Sequence, residues 1–420
     1  MIPNIERRVI MSPNLSEIPD AITLGSYDEI ERSRKYVESL KDGYADCFPM
    51  GGFQIGTRRI VPHGEIYQDL LKIPNVRRLF KVRQLGMIGV FSGTGTDGQM
   101  DMCSYQNRAD HSFDVSIRME ISCGLDGFDE DEINLAIASG ALHDIYTPAF
   151  SEHGKFVDPE KLDEEKNIRL ILSNQDIMAY LKKFGINPHD VIYAVKGSYP
   201  VIGAMLNSSG LDVDQIAYTI MDSDHVHYLT ACPDQTDLFI GYRLDPAVRD
   251  LHESISNDGK KVFFMEPHAV RKMLYLQAWL YKNHYLSGSN RAREVCLQNE
   301  LKKHRAGKVT AEQVMKMEDW QFEDFLKEIN DKLYSRFQSV DSDSFQEIAR
   351  IRDASEEEVR KEYGGKFLVK KQGRFNPGTS TLLKKHRDVV PFFAEFPQDA
   401  QTLEDIADSC EYIGVYRADL

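Results

Sequence analysis

The sequence predicts a mainly α-helical protein with minor β structure. Three observations carry that expectation. Apolar residues recur at helical spacing over most of the chain after residue 108. The most strongly patterned stretch opens on an acidic run, where carboxylates meet the positive end of a helix. Strand-like runs are few, and no internal repeat or Gly/Ser-rich linker divides the chain.

Taken in order, residues 1–50 are mixed, with Tyr27–Leu40 expected as an amphipathic helix opened by Ser26. Residues 63–122 read as short helix, helix, strand, loop, helix. Pro74 suits a first helical turn, where its missing N–H costs nothing. Val82–Phe91 turns apolar and β-branched and is expected as a strand, and Gly93–Gly98 as a loop. Asp110–Cys123 is helical, with Phe113, Ile117 and Ile121 at i, i+4 and i+8. Asp126–Asp144 is a second helix with apolar face Ile133, Ala136, Ile137, Ala141 and Leu142. Further helices are expected over 160–184, 187–207, 212–231, 267–305, 310–337 and 342–363, and a turn and strand at Gly364–Lys370. The last 120 residues alternate in charge, the mark of a solvated helical face.

The composition sets bounds on function. With 42% hydrophobic and 10% aromatic residues, the 420-residue chain can bury a large core, so a disordered protein is excluded. Its 51 basic against 66 acidic side chains, net −15, argue against a nucleic-acid track, while a few local cations can still hold a small anion. Six scattered cysteines without a Cys-x-x-Cys pair are expected as reduced thiols. The first residues show no apolar stretch after their charges, and the longest apolar runs fall short of the roughly 18 residues that span a bilayer. A soluble, cytoplasmic protein with no membrane partner is expected.

Three separated segments bring together the residue types of metal chemistry: Arg108-Ala109-Asp110-His111-Ser112, Ala141-Leu142-His143-Asp144, and Met221-Asp222-Ser223-Asp224-His225-Val226-His227-Tyr228. Imidazoles and carboxylates on different helices can converge on one ion. In the third segment Ala217, Met221, Asp224 and Tyr228 share a helical stripe, so Asp224 rather than Asp222 is expected to point inward. Gly93-Thr94-Gly95-Thr96-Asp97-Gly98 matches a dinucleotide fingerprint but opens no helix, and is expected as a loop. His225 and His227, two residues apart, do not share a helical face.

The order His … His-Asp … Asp resembles the HD superfamily of metal-dependent phosphohydrolases. The surrounding residues resemble its dNTP triphosphohydrolase branch: His63-Gly64-Glu65-Ile66, Val76-Arg77-Arg78-Leu79, Val82-Arg83-Gln84-Leu85-Gly86, Arg108-x-x-His111-Ser112 and Thr147-Pro148-Ala149-Phe150-Ser151. The resemblance covers roughly 60–290. It implies an HD-domain helical core at 60–290, between an N-terminal flanking segment at 1–59 and a helical accessory region at 291–420. It implies a divalent metal (Mn, Fe, Co, Zn or Mg) on His111, His143, Asp144 and Asp224, with Arg108 on the phosphate beside it. Gln84 and Tyr228 would face the sugar or phosphates, Lys282 the phosphates, and Tyr285 the base or sugar. The implied reaction is hydrolysis of a dNTP to deoxynucleoside and triphosphate, with assembly into an oligomer through the C-terminal helices.

The chain also departs from that branch. The second histidine after the His-Asp pair is Thr147 here, a later His-Glu pair is Glu164-Glu165, an aspartate that reads the 3′-hydroxyl aligns with Cys232, and an arginine aligns with Gln277. The proton donor is therefore expected among Glu152, His153 and Glu164. Phosphomonoester or cyclic-phosphodiester hydrolysis on the same scaffold, or nucleotide binding without turnover, are the alternative expectations.

Overall fold

The architecture follows from one helix that is buried on nearly every side. The computed structural model describes residues 53–55, 58–60, 64–86, 106–226, 242, 244–286, 288–304, 309–338, 345–352, 354–364 and 367–418. All of them belong to one compact unit, residues 52–420. The expected Tyr27–Leu40 helix, the Gly93–Gly98 loop and Tyr228 lie outside the described residues.

A small hairpin, β1 (Phe53–Ile55) and β2 (Arg58–Ile60), precedes two short helices, α1 (Glu65–Leu70) and α2 (Pro74–Leu79). Pro74 opens α2 as the sequence predicts. The central helix is α3 (Arg108–Leu125). Its N-cap is Asn107, whose side chain accepts from the Asp110 backbone N–H at 2.9 Å. Phe113, Val115, Ile117 and Met119 are all buried, but so are His111, Ser112, Asp114, Ser116 and Arg118. A helix buried all round with that many polar groups must satisfy them internally. Arg118 does so in part, donating to Asp114 Oδ2 at 2.9 Å and to the Arg249 carbonyl at 3.0 Å, while its Nη2 is buried without a hydrogen-bond partner.

α4 (Glu130–Leu142) packs along α3. It opens with a capping box in which Asp129 and Glu132 exchange side-chain to backbone bonds, as its acidic run suggests. The two helices meet closely at Gly140, where any Cβ would stand 2.7 Å from the Ser116 Cα. Ser116 Oγ donates across the contact to the Ile137 carbonyl at 2.8 Å. α5 (Gln175–Lys183), α6 (Pro188–Val195), α7 (Ile202–Leu206) and α8 (Val213–Val226) follow. The expected helix over 187–207 is broken between α6 and α7, where Gly197 takes a positive φ of 68°.

After a two-strand ribbon, β3 (Ile255–Asn257) and β4 (Val262–Phe264), α9 (Pro267–Leu280) runs into a π-helical turn, Tyr281–Tyr285, and then α10 (Gly288–His304). α11 spans Asp319–Gln338 with non-helical backbone at Asn330. The expected helix over 342–363 divides into a strand, β5 (Phe345–Ile351), and a helix, α12 (Glu356–Tyr363). The alternation Phe345, Glu347, Ala349, Ile351 carries the two-residue period that the charge pattern obscured. β6 (Leu368–Gln372), β7 (Leu382–Lys385) and β8 (Asp388–Pro391) precede α13 (Pro397–Ser409) and β9 (Tyr412–Ala418). β5, β9 and β6 form an antiparallel three-stranded sheet, and β3, β4, β7 and β8 a four-stranded one. The fold is thus mainly α with small sheets, and the C-terminal region mixes helix and strand.

A second apolar core joins the turn after α4 to that region. Ala149, Phe150 and Val157 pack with Val295, Leu297 and Leu301 of α10, Phe322 and Phe325 of α11, and Tyr416 of β9. Among the described residues, no helix is long and apolar enough to cross a membrane.

Gly140→Ala is expected to push α4 off α3 and to cost about 1–3 kcal/mol, the usual penalty of an overpacked contact. Gly124→Ala, on the same α3 where a Cβ meets nothing within 4 Å, serves as control and should leave urea denaturation almost unchanged.

Candidate metal centre

The α3–α4 contact sets two histidines face to face. His111 lies in the first turn of α3, and His143 is the C-cap of α4. Their ring centroids are 5.2 Å apart, edge to face. Asp144 follows directly, and its Oδ2 lies 3.6 Å from His143 Nε2 and 3.8 Å from His111 Nε2. All three residues are largely withdrawn from solvent, and together they form a group that could bind a metal ion.

A fourth donor comes from α8, and it is not the expected one. Asp214 Oδ1 stands 2.8 Å from His111 Nε2 and 3.5 Å from His143 Nε2. Asp224 lies ten residues further along α8, about 15 Å at the helical rise, and is ion-paired with Arg249 at 2.8 Å. The stripe that faces the cluster is Asp214, Tyr218 and Asp222, at i, i+4 and i+8. Asp222 is therefore the inward residue of the later pair, with 1% exposure. The stripe chosen from sequence started from Ala217, which is fully buried against the rest of the fold. The overlooked signal was at the helix start. Asp212 accepts from Gln215 N at 2.8 Å and Ser208 N at 3.0 Å in the manner of a helix cap, which leaves Asp214 in the first turn as a second, unexplained carboxylate.

The donor set fits a divalent ion. Two donors on one ion at about 2.1 Å stand roughly 3–3.4 Å apart, close to the spacings seen here. His143 Nδ1 is 2.7 Å from the Gly140 carbonyl and donates to it. That bond leaves Nε2 as the lone-pair nitrogen, and Nε2 is buried without a hydrogen-bond partner. Mixed imidazole and carboxylate donors suit Mn, Fe, Co or Zn, and do not select among them.

The electrostatics show what the cluster wants. Burial opposes charge on His143, yet Asp144 and Asp214 outweigh it and raise its pKa to about 9. Burial would raise Asp144, but Arg108, His143 and His111 hold it well below the usual carboxylate range. Burial likewise works against Asp214, and the imidazoles of His111 and His143 beside it hold it low. Two ionised carboxylates in a buried site call for positive charge, and a metal ion with neutral imidazoles supplies it.

Arg108 stands at the rim. It donates from Nη1 to Asp144 Oδ2 at 2.5 Å and from Nε to Ser151 Oγ at 2.9 Å. Burial works against its charge, and Asp144, Glu152 and Glu164 more than restore it. Ser151 passes the contact on by donating to the Arg83 carbonyl at 2.5 Å. Phe150 and Ser151 both take positive φ, 59° and 51°, a tight bend that two residues with side chains adopt at a cost. Gly86 makes the bend possible, since a Cβ there would meet the Phe150 carbonyl oxygen at 2.3 Å.

The remaining expected residues divide. Gln84 is buried, with Oε1 lacking a partner, and its backbone N–H donates to the Gln106 carbonyl at 3.0 Å. Tyr285 donates its hydroxyl to Asp222, and burial lifts the Asp222 carboxyl to about 6. Tyr218 accepts from Gln277 Nε2 at 2.8 Å, and its hydroxyl lies 3.5 Å from that of Tyr281. Tyr218, Tyr281, Tyr285 and Asp222 thus gather beside the cluster, close enough to feel its charges. Sequence reasoning missed Tyr218, Tyr281 and Gln277 as a set because the π turn, which brings Tyr281 and Tyr285 to one face, is invisible in residue spacing. Lys282 is exposed, one residue of turn from Tyr281, and is a charged neighbour of Cys410. His153 is buried against Phe156 and Gly86, with Glu294 and Arg291 as charged neighbours, and burial lowers its pKa. Glu164 feels Asp144 and is raised chiefly by burial.

No protein-family model matches the chain, and no curated protein matches it by sequence. Solved structures match by fold. A hypothetical protein from Aquifex aeolicus superposes with a TM-score of 0.63 at 15% identity, over 85% of this chain and 93% of that one. A phosphohydrolase from Bacteroides thetaiotaomicron superposes with a TM-score of 0.61 at 13% identity, over 86% of this chain and 97% of that one. The chain shares their fold.

Asp214→Ala is expected to strip bound metal from the purified protein, whereas Asp224→Ala, which breaks the pair with Arg249 away from the histidines, retains it. Metal content by mass spectrometry distinguishes the two. Equal content in both variants would remove Asp214 from the ligand set.

Proposed function

We propose that this protein is a metal-dependent HD-type phosphohydrolase that acts on nucleotides, with a dNTP as its substrate. The observation that carries the reading is the convergence of His111, His143, Asp144 and Asp214 on one point, with Arg108 bonded to the same Asp144 oxygen. The sequence resemblance to dNTP triphosphohydrolases and a fold shared with a structure described as a phosphohydrolase support it.

The four ligand residues would hold a divalent ion, which supplies Lewis-acid polarisation of a phosphoryl oxygen. Arg108 places a permanent, preorganised charge where phosphate negative charge grows during displacement. Its bonds to Asp144 and Ser151 keep the guanidinium from swinging with the substrate. Tyr218, Asp222 and Tyr285 offer hydroxyl and carboxylate groups to a sugar, and the unpaired Gln84 Oε1 awaits a donor from the ligand.

The leaving oxygen needs a proton, and Glu164 is positioned to carry one. Its side chain is mostly buried, and burial favours the protonated form although Lys155 opposes it. One of its oxygens, Oε2, is buried without a partner. This carboxyl takes the role that the branch assigns to a histidine.

Incubation with Mn²⁺, Mg²⁺, Fe²⁺ or Co²⁺ and a panel of dNTPs, NTPs, monophosphates and cyclic dinucleotides tests the reading. Tripolyphosphate released from dNTPs, and abolished by His143→Ala, is the expected result. Orthophosphate from monophosphates would move the assignment to a phosphomonoesterase, and nucleotide binding without turnover to a sensor. Glu164→Gln is expected to lower kcat by about 10²–10⁴-fold, the usual contribution of a general acid, with metal content unchanged.

A further inference from the structure

The turn that follows the His-Asp pair holds a second cation beside Arg108. Ser151–Val157 is a 3₁₀ helix, so Glu152 and Lys155, three apart, stand on one face. Lys155 Nζ donates to Glu152 Oε1 at 2.7 Å and to Glu164 Oε1 at 2.6 Å. The same Glu152 oxygen lies 4.0 Å from Arg108 Nη2. One anionic oxygen thus sits between two cations at the edge of the metal centre.

The three carboxylates around these cations are not equivalent. Asp144 and Glu164 are 7% and 19% exposed at the side chain, while Glu152 is 63% exposed. Arg108 and Lys155 are themselves 11% and 20% exposed. Glu152 reaches in from solvent and can rotate back into it at little cost. Asp144 holds Arg108, and Glu164 holds Lys155 through Oε1, which accepts whether or not the unpartnered Oε2 carries a proton, so both cations stay in place when Glu152 leaves. Burial disfavours charge on Lys155, and Glu152 and Glu164 outweigh it, so the ammonium remains charged.

We propose that Lys155 is a phosphate-binding residue, and that Glu152 is an exchangeable counter-ion whose carboxylate occupies the position of a substrate phosphate oxygen. A polyphosphate displaces Glu152 from Lys155 and Arg108 and takes both cations. The exchange gives the two cations a counter-ion without ligand and selects ligands whose charge exceeds that of one carboxylate. This inference rests on the phosphohydrolase reading.

The test is calorimetric titration of the metal-loaded protein with inorganic tripolyphosphate. Lys155→Met should weaken binding at least tenfold, and Lys155→Arg should restore most of it. Glu152→Gln, at an exposed position that leaves folding intact, should tighten binding several-fold because it removes the competitor. Unchanged affinity in Lys155→Met, or weaker binding in Glu152→Gln, overturns the proposal. A wild-type protein that hydrolyses nucleotides while Lys155→Met binds tripolyphosphate normally refutes this inference alone. A wild-type protein that neither binds tripolyphosphate nor hydrolyses any nucleotide refutes the phosphohydrolase reading and this inference with it.

Discussion

The close approach of two helices at Gly140 is the constraint on which the candidate site depends. With no side chain between them, α3 and α4 come near enough for Ser116 to donate across the contact. That distance decides whether His111, five residues before Ser116, and His143, three after Gly140, can share an ion. The Gly140 carbonyl then accepts from His143 and fixes which nitrogen faces the cluster. One glycine therefore sets both the separation of the imidazoles and the tautomer of one of them, and neither could be tuned by changing the histidines themselves.

The cluster also shows how an acidic protein builds an anion site. At net −15 the chain as a whole repels polyanions. Locally the sign is set by partners instead. Asp144 and Asp214 are spent on the histidines and on Arg108, and Glu152 and Glu164 on Lys155. Each carboxylate is already bonded to a cation or an imidazole, so an arriving phosphate meets donors rather than free negative charge. Long-range repulsion is screened within about 10 Å at ordinary ionic strength, whereas these contacts act at bonding distance.

Residues beyond 290 buttress the site. The core that joins α10 and α11 to Phe150 and Val157 lies directly beneath the turn that carries Ser151, Glu152 and Lys155. Asp319, at the start of α11, accepts from the Phe150 N–H at 2.7 Å and from the Arg83 N–H at 2.9 Å. It ties together the two backbones that Gly86 allows to touch, and so holds the strained bend in shape. Arg78 adds a further tie, donating to the Thr147 carbonyl at 2.6 Å and the Met317 carbonyl at 3.0 Å. Phe375 stacks on Tyr281, with centroids 4.6 Å apart. The site thus draws on residues 78–86 before its helices and on residues 317–375 after them.

Local patterns in the sequence determined the helical class, the capped start of α4 and Pro74 at the head of α2, and singled out the segments that carry Arg108, His111, His143 and Asp144, whose partnership the family resemblance implied. Those features depend on residues within a turn or two of one another, or on residue types rare enough to single out. The fourth carboxylate, the face of α8, the π turn and the strand β5 depended on contacts between distant segments. Asp212, Asp214, Asp222 and Asp224 are chemically alike, and helical periodicity alone leaves the phase of the helix open. Only packing decided that phase, because burying Ile216, Ala217 and Ile220 against the core turns Asp214, Tyr218 and Asp222 toward the histidines and leaves Asp224 to Arg249.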